Sequence, residues 1–169
     1  MSAHWPRAAP ITTRRLELEP LRVDHAREMA PVLAGPALYA FIGGEPSGVR
    51  ELTARYARQV AGRSPDGGQG WLNWVVRERG TNEPVGTVQA TITDAGRSAE
   101  LAWVIAASRQ GEGLATEAAI GARDWLRERG VEAFTAHIHP DHAPSAAVAR
   151  HLGLQATDQR RDGEVCWAS

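Results

Sequence analysis

Residues 99–126 read AELAWVIAASRQGEGLATEAAIGARDWL, and this stretch carries the clearest structural signal in the chain. An apolar strand is predicted from Ala99 to Ile105, and a loop with two glycines follows at residues 109–113. Beyond the loop, apolar residues recur at helical spacing up to Gly130, where the helix is predicted to end. A strand that continues through a short loop into a helix indicates a sheet covered by helices.

The flanking segments extend this pattern into a mixed sheet. Strands are predicted at residues 13–18, 71–79, 85–93 and 133–139, with a closing hairpin around Asp162 and Gly163. Helices are predicted at residues 26–33, with Asp24 as a possible N-cap, at residues 49–60 and from Pro144 to Gly153. This order predicts an α/β (α+β) fold: a mixed, largely antiparallel central sheet of about seven strands with helices on both faces.

The composition fits a single domain in a reducing compartment. The chain has 169 residues, 43% of them hydrophobic, so we expect one domain over residues 1–169 with residues 1–10 flexible. The net charge of −1 gives no reason to expect nucleic acid or anionic membrane as a partner. Cys166 is the single cysteine, and no segment approaches the roughly 20 apolar residues of a membrane span. We therefore expect a cytoplasmic protein.

The glycine loop is suited to binding an anion. Glycines let the backbone approach a phosphate, and the new helix adds unpaired amides and the positive end of its dipole. Arg109 could add a charge-assisted contact, whereas Glu112 fits only if its side chain points outwards. The loop is neither a Walker A loop, which needs Gly-Lys-Ser/Thr, nor the dinucleotide fingerprint G-x-G-x-x-G. The alternative is a helix entry with two conformational glycines.

Four segments together resemble the GNAT superfamily of acyl-CoA-dependent N-acyltransferases. Residues 110–115 (QGEGLA) match its Q/R-x-x-G-x-G/A signature. Residues 116–118 (TEA) and 100–105 (ELAWVI) are similar to the branch of ribosomal-protein N-terminal acetyltransferases. The opening ITTRRL at residues 11–16 and the segment from His139 to Leu154 also resemble family motifs. The resemblance runs in family order from about Ile11 to the C-terminus.

The resemblance implies acetyl-CoA as the donor, bound between two separating strands. Its pantetheine arm would pair with the backbone of the first strand, and its pyrophosphate would lie over the loop amides. Many relatives carry asparagine where this chain has His142, in contact with the cofactor. The implied cofactor-binding residues are Trp103, Val104, Ile105, Arg109, Gln110, Gly111, Glu112, Gly113, Leu114, Ala115, Thr116 and His142.

Acyl transfer to an amine needs a base, an acid and an acceptor site. Glu100 resembles the strand carboxylate that relatives use as the base, although it could be a solvated strand-end glutamate. Ser145 is the candidate acid at the thiol, or a serine that only satisfies helix amides. Many relatives carry a tyrosine acid where this chain has Ala149, so a tyrosine mechanism is unsupported. Four aromatic residues are candidate acceptor-site walls or core: Tyr39, Phe41, Trp71 and Trp74.

The expected activity is therefore transfer of an acetyl group from acetyl-CoA to a primary amine, by direct attack in a ternary complex. The fold could instead use a longer acyl-CoA or an aminoacyl-tRNA, or bind acyl-CoA without turnover. A metal-dependent hydrolase is a remote alternative, since His137, His139, Asp141 and His142 spell H-x-H-x-D-H. Too little chain follows His142 for the other ligands of such a site, so we expect no metal. The expected partners are acetyl-CoA and an amine, and the expected assembly is a monomer or homodimer.

Overall fold

The computed structural model describes residues 5–35, 38 and 46–169. Its strands are β1 (Ile11–Thr12), β2 (Leu16–Pro20), β3 (Gly70–Glu78), β4 (Pro84–Thr93), β5 (Ser98–Ile105), β6 (Ala133–Ile138), β7 (Gln155–Arg161) and β8 (Glu164–Ala168). Its α-helices are α1 (His25–Val32), α2 (Val49–Gln59), α3 (Leu114–Arg127) and α4 (Ala143–His151). Short 3₁₀ turns lie at Asp94–Gly96 and Ala107–Arg109.

The strands form one sheet in the order β1-β2-β3-β4-β5-β6-β8-β7. Every neighbouring pair is antiparallel except β5 and β6, which are parallel. The predicted mixed, largely antiparallel sheet is thus confirmed, with eight strands rather than about seven. The additional strand arises because the predicted strand at residues 13–18 begins with a turn: Thr13 N donates to Leu16 O at 2.9 Å, so Ile11–Thr12 folds back along β2.

Helices cover both faces of the sheet, as predicted. The larger core lies beneath α3 and α4, where Ala118, Ala122 and Val148 pack on β5 and β6 residues such as Leu101 and Phe134. A smaller core joins α1 and α2 to the opposite face: Ala26, Met29, Leu52 and Tyr56 pack against Val75. Within the described ranges, no helix has the length and apolar character needed to cross a bilayer.

One local prediction about α1 differs from the structure. Asp24 occupies the N-cap position, but its side chain makes no capping hydrogen bond. Its carboxylate instead accepts a hydrogen bond from Arg22 Nε at 3.0 Å. The charge of the guanidinium makes this bond a stronger competitor for the carboxylate than a helix amide.

The parallel pair β5–β6 is short, and this positions the site. The two strands pair only from Ser98 to Glu100 on β5 and from Ala133 to Thr135 on β6. Beyond these residues β6 pairs with β8, whereas the end of β5 pairs with β4 alone. The separation opens a gap beside the loop that leads into α3.

Candidate active site

A cavity of about 590 Å³ lies beside the separated ends of β5 and β6. The end of β5, the glycine loop, the first turn of α3 and the start of α4 line it. Every residue implied for the cofactor except Glu112 lies on this wall, together with Ser145. The sequence reasoning missed three further lining residues, which are Leu38, Pro144 and Val148.

The two loop glycines adopt backbone conformations that favour glycine. Gly111 has a φ of 83° and Gly113 a φ of 78°, both in the left-handed region. Gly113 is the N-cap of α3, and no side chain caps the helix. The amides of the first helical turn have no acceptor inside the helix, so they remain available to a ligand. With the positive end of the helix dipole, this wall of the cavity suits a phosphate.

Arg109 fixes the loop to the β3–β4 connection. Its guanidinium contacts Glu78, and it lies 3.0 Å from carboxylate oxygens of both Glu83 and Glu112. Hydrogen bonds from Arg109 lower the pKa of Glu78 and of Glu112, and the same bonds raise the pKa of Arg109. The charge that we expected to face an anion is therefore shared among three carboxylates. The Glu112 side chain turns to Arg109 rather than into the cavity.

A carboxylate on α3 ties the helix start to the N-terminal strands. Glu117 accepts hydrogen bonds from the Thr13 hydroxyl, from the Arg15 amide at 2.8 Å and from Arg15 Nε at 2.7 Å. Arg15 Nη1 also donates to the carbonyl of Glu112 at 2.9 Å. Burial by itself raises the pKa of Glu117, but these hydrogen bonds outweigh burial and lower it. The opening motif and the TEA motif, far apart in sequence, thus meet behind the glycine loop.

The end of β5 is shaped by two contacts that the sequence did not reveal. The side-chain amide of Gln110 donates to Ile105 O at 3.1 Å. Gly86 on β4 lies so close to β5 that an added Cβ would be 2.1 Å from Val104 O. A side chain at position 86 would push β4 and β5 apart where β5 borders the cavity.

Ser145 and His142 face the cavity from the start of α4. Within the described part of the chain, the half-buried Ser145 hydroxyl has no hydrogen-bond partner. Burial, and to a lesser extent His139, lowers the pKa of His142. His142 therefore presents a neutral ring at neutral pH. Ala149, one turn beyond Ser145, is fully buried.

Glu100 lies where β5 and β6 are still paired. Its carboxylate accepts hydrogen bonds from Arg161 Nη2 at 2.8 and 3.0 Å, and Oε1 is 2.6 Å from His137 Nδ1. Glu100 precedes Val104 by four residues on the same face of β5 and lies about 13 Å away along the strand. It is not among the described residues that line the cavity.

Two further cavities lie on the face of the sheet that carries α1 and α2. A cavity of about 210 Å³ shares Val104 and Leu38 with the first one. A larger cavity of about 830 Å³ shares Leu21, Gln59 and Asn73 with the smaller one. The shared residues make the three cavities neighbours in a row from the end of β5 to the N-terminal segment.

Of the aromatic acceptor candidates, two can be placed. Trp71 lines the 830 Å³ cavity. Trp74 borders the 210 Å³ cavity, but it is fully buried and its ring packs edge-on against Trp125, at 5.5 Å between centroids. Tyr39 and Phe41 lie outside the described residues.

The histidines of the H-x-H-x-D-H segment make separate contacts. His137 faces Glu100, whereas His139 Nδ1 accepts a hydrogen bond from the amide of Asp141 at 3.1 Å. Over residues 5–35, 38 and 46–169, no group of three or more His, Cys, Asp or Glu side chains could hold a metal ion.

Comparison with known proteins gives a family match and several similar folds. A family model described as an acetyltransferase (GNAT) domain matches residues 15–155. No curated protein matches the sequence. A probable acetyltransferase of the GNAT family from Chromobacterium violaceum superposes with a TM-score of 0.80 at 20% identity, over 100% of this chain and 89% of that chain.

Two other similar structures were solved with a form of coenzyme A. RimL, described as a ribosomal L7/L12 alpha-N-protein acetyltransferase in complex with coenzyme A, has a TM-score of 0.79 at 17% identity, over 95% of this chain and 97% of that chain. RimJ of Mycobacterium smegmatis, in complex with a CoA-disulfide, has a TM-score of 0.77 at 22% identity, over 95% and 85%. At these identities the likeness shows a shared fold.

Proposed function

The chain belongs to the GNAT acetyltransferase family, and on that premise we propose that it transfers an acetyl group from acetyl-CoA to a primary amine by direct attack in a ternary complex. The observation that carries this proposal is the uncapped glycine loop at the N-terminus of α3, which borders a cavity beside two separated strands. The activity that family membership supports is N-acetylation in general, and the acceptor and the residue roles belong to the proposal.

The cavity beside β5 is the proposed site of acetyl-CoA, which supplies the activated acetyl thioester. The amides of the loop and of the first turn of α3 would bind the pyrophosphate, because they point outward without intrahelical acceptors. Arg109 would contribute by holding the loop through its three carboxylate partners. The backbone of Trp103 to Ile105, which lacks a partner strand on its β6 side, would bind the pantetheine arm.

Glu100 is the proposed proton acceptor. An attacking amine must be neutral, but an α-amino group has a pKa near 7.7–8.0 and is partly protonated at neutral pH. The Glu100 carboxylate accepts a hydrogen bond from Arg161 Nη2 at 2.8 Å, and its Oε1 lies 2.6 Å from His137 Nδ1. Since Glu100 lies about 13 Å from Val104 along β5, we propose that His137 or bound water connects it to the amine.

Ser145 is the proposed hydrogen-bond donor to the departing thiolate. Its hydroxyl faces the cavity and is free of protein partners in the described part of the chain. Ala149 offers no hydroxyl at the next turn, which leaves the thiol side to Ser145 or to solvent.

The path through the smaller cavity is the proposed acceptor route. Val104 and Leu38 line both the donor cavity and the 210 Å³ cavity, so the thioester and the amine could meet there. Two similar structures carry the names ribosomal L7/L12 alpha-N-protein acetyltransferase and, from Vibrio cholerae, ribosomal-protein-serine acetyltransferase. We therefore propose a polypeptide N-terminus as the first acceptor to examine.

The test is release of free CoA thiol from acetyl-CoA in the presence of a panel of N-terminal peptides and small amines. We expect turnover with at least one peptide, and we expect Glu100→Gln to reduce kcat by about 10²-fold at pH 7. The loss should shrink above pH 8.5, because the amine then loses its proton without help. Glu132→Gln, which changes an exposed carboxylate just before β6, is the matched control and should retain full activity.

The outcomes separate the parts of the proposal. An absence of CoA release with every amine would refute turnover. Full activity of Glu100→Gln across the pH range would refute Glu100 as the proton acceptor but leave the donor site intact.

A further inference from the structure

We infer that the 830 Å³ cavity is an anion-binding site for a carboxylate of the acceptor. The cavity would hold this carboxylate at a fixed distance from the reacting amine of the same acceptor. This inference rests on the proposed function, because the cavity lies at the far end of the proposed acceptor route. The cavity lies between the N-terminal segment, the end of α2 and the start of β3. No residue discussed for the donor lines it.

The charges on the cavity wall have one sign. Arg7 and Arg63 line the cavity, and no aspartate or glutamate is among its described lining residues. Neither guanidinium forms an ion pair within the described part of the chain. Arg109, by contrast, lines the donor cavity but is paired with three carboxylates. Arg7 and Arg63 are therefore available to an anion from outside the chain.

Two residues that line the cavity also carry a buried N–H group without an acceptor. Among the described residues, Trp5 Nε1 and Asn73 Nδ2 are both buried without a hydrogen-bond partner, and both residues line the cavity. A guanidinium, an indole N–H and an amide NH₂ group can only donate hydrogen bonds. The two unpaired guanidinium groups on this wall select a group that only accepts, and an ionised carboxylate is such a group.

The sheet register sets the distance between this site and the reacting amine. Asn73 on β3 pairs with Gln89 on β4, and Gln89 pairs with Ala102 on β5, so the three side chains share a row and a face. Adjacent strands are about 4.8 Å apart, which places Asn73 roughly 10 Å from β5, and the arginines lie on the far side. Ala102 is adjacent to Trp103, which lines the donor cavity.

This distance selects a peptide over a free amino acid. An extended chain advances about 3.3–3.6 Å per residue, so roughly 10–15 Å corresponds to three or four residues. The α-carboxylate of a free amino acid is too close to its amine to reach Arg7 and Arg63. The acceptor that fits is an extended N-terminal peptide with an acidic side chain at its third or fourth position, or a short peptide whose C-terminus falls there.

The intervening passage is compatible with such a peptide. Leu21, Gln59 and Asn73 line both acceptor cavities, so the two cavities are adjacent. The narrower one offers polar groups of Gln89 and Thr87 beside apolar Leu21 and Leu33, and its charged lining residue in the described range is Arg55. A cationic passage attracts an acidic chain and repels a basic one.

The experiment compares amidated hexapeptides that are identical except for aspartate, alanine or lysine at positions three and four. Tetrapeptides with a free or amidated C-terminus distinguish a terminal carboxylate from a side-chain one. We expect kcat/KM for the aspartate peptide to exceed that for the lysine peptide at least tenfold, with a smaller ratio at high salt. In the double variant Arg7→Gln/Arg63→Gln the ratio should fall to within about twofold, whereas the control Arg58→Gln on α2 should retain it.

Calorimetric binding of the same peptides without acetyl-CoA separates the two proposals. Stronger binding of the aspartate peptide, lost in the double variant, supports the anion site even if no peptide is acetylated. Equal affinities and equal kcat/KM for all three peptides, or a preference that survives in the double variant, would overturn it while leaving the acetyltransferase activity standing.

Discussion

Ser145 is the residue whose proposed role is simplest to isolate. Its hydroxyl faces the donor cavity, and the buried Ala149 one turn away offers no second donor. A thiol has a pKa near 8.5, so the departing thiolate gains only modestly from a proton at neutral pH. We expect Ser145→Ala to lower kcat about tenfold and to leave the KM for acetyl-CoA nearly unchanged. The measurement is steady-state CoA release.

Ser98→Ala provides the matched control for this substitution. Ser98 lies at the start of β5, outside the lining of the donor cavity, so its loss should leave kcat unchanged. If Ser145→Ala also left kcat unchanged, solvent rather than Ser145 would protonate the departing thiolate.

At this scale the sequence predicted local contacts well and distant contacts poorly. Trp103 to Thr116 are nearly contiguous, so one strand–loop–helix segment brings them to the same cavity. Two of the three partners of Arg109, by contrast, are Glu78 and Glu83, 31 and 26 residues earlier in the chain. The contact of Glu100 with Arg161 likewise depends on where β7 and β8 lie in the sheet. Side-chain pairs of this kind follow from strand order and register, which a single sequence does not specify.

The loop that leads into α3 provides a prediction about one element. Gly113 has a φ of 78°, and a Cβ there would lie 3.4 Å from Arg15 Nη2. Gly113→Ala should therefore strain the left-handed backbone by about 1–2 kcal/mol and displace amides that we propose bind the pyrophosphate. We expect at least a tenfold increase in the Kd for CoA, measured by calorimetry.

Gly130→Ala separates backbone strain from the effect on binding. Gly130 follows the other end of α3 with a φ of 97°, and a Cβ there meets nothing within 4 Å. Gly130→Ala should lower the thermal midpoint about as much as Gly113→Ala does, but it should leave the affinity for CoA unchanged. Equal loss of affinity in both variants would mean that the loop acts only through general stability.

An ion-pair cluster around the buried Arg77 joins β2, β3 and α1 and predicts a pH dependence. Arg77 on β3 is 9% exposed and contacts Glu19 at 2.6 Å and Glu28. Burial by itself raises the pKa of Glu19, but hydrogen bonds from Arg77 and Arg22 outweigh it and lower the pKa to about 2, against an ordinary value of 4.5. Because the folded-state pKa is depressed, the stabilisation is complete above pH 4.5 and is lost as the pH falls towards 2.

Glu19→Gln should therefore lower the free energy of unfolding by about 2 kcal/mol at pH 7, allowing for solvent screening. In urea titrations, the difference from the wild type should shrink between pH 4.5 and pH 3. Glu17→Gln, two residues earlier on β2, is the control, because Glu17 accepts a hydrogen bond from Thr12 rather than from an arginine. If the difference in free energy of unfolding between Glu19→Gln and the wild type did not depend on pH, the cluster would stabilise the fold through packing rather than through charge.

On the scale of the whole molecule, the sheet separates the two proposed ligands. The donor cavity lies against α3 and α4, and the acceptor cavities lie on the face that carries α1 and α2. The two sides meet at Val104, on the strand that loses its β6 neighbour. The order of strands and helices predicted this architecture because hydrophobic periodicity records which faces are buried. The positions of the cavities could not be predicted from the sequence, because they depend on where β5 and β6 cease to pair.

This arrangement predicts that the donor stabilises the entire fold. The donor cavity is built from β5, α3 and α4, which also contribute much of the larger core, so its ligand binds the folded state selectively. At 100 times its dissociation constant, acetyl-CoA should add about 2.7 kcal/mol to the free energy of unfolding. For a domain of this size, the thermal midpoint should rise by about 5–10 °C.

Free CoA should give most of this rise, because the proposed contacts are with its pyrophosphate and pantetheine. Gly113→Ala should reduce the shift at the same concentration of ligand, whereas Gly130→Ala should start from a lower midpoint and show the full shift. If neither acetyl-CoA nor CoA raises the midpoint of the wild-type protein, the cavity beside β5 is not a CoA site, and longer acyl-CoA donors would be examined next.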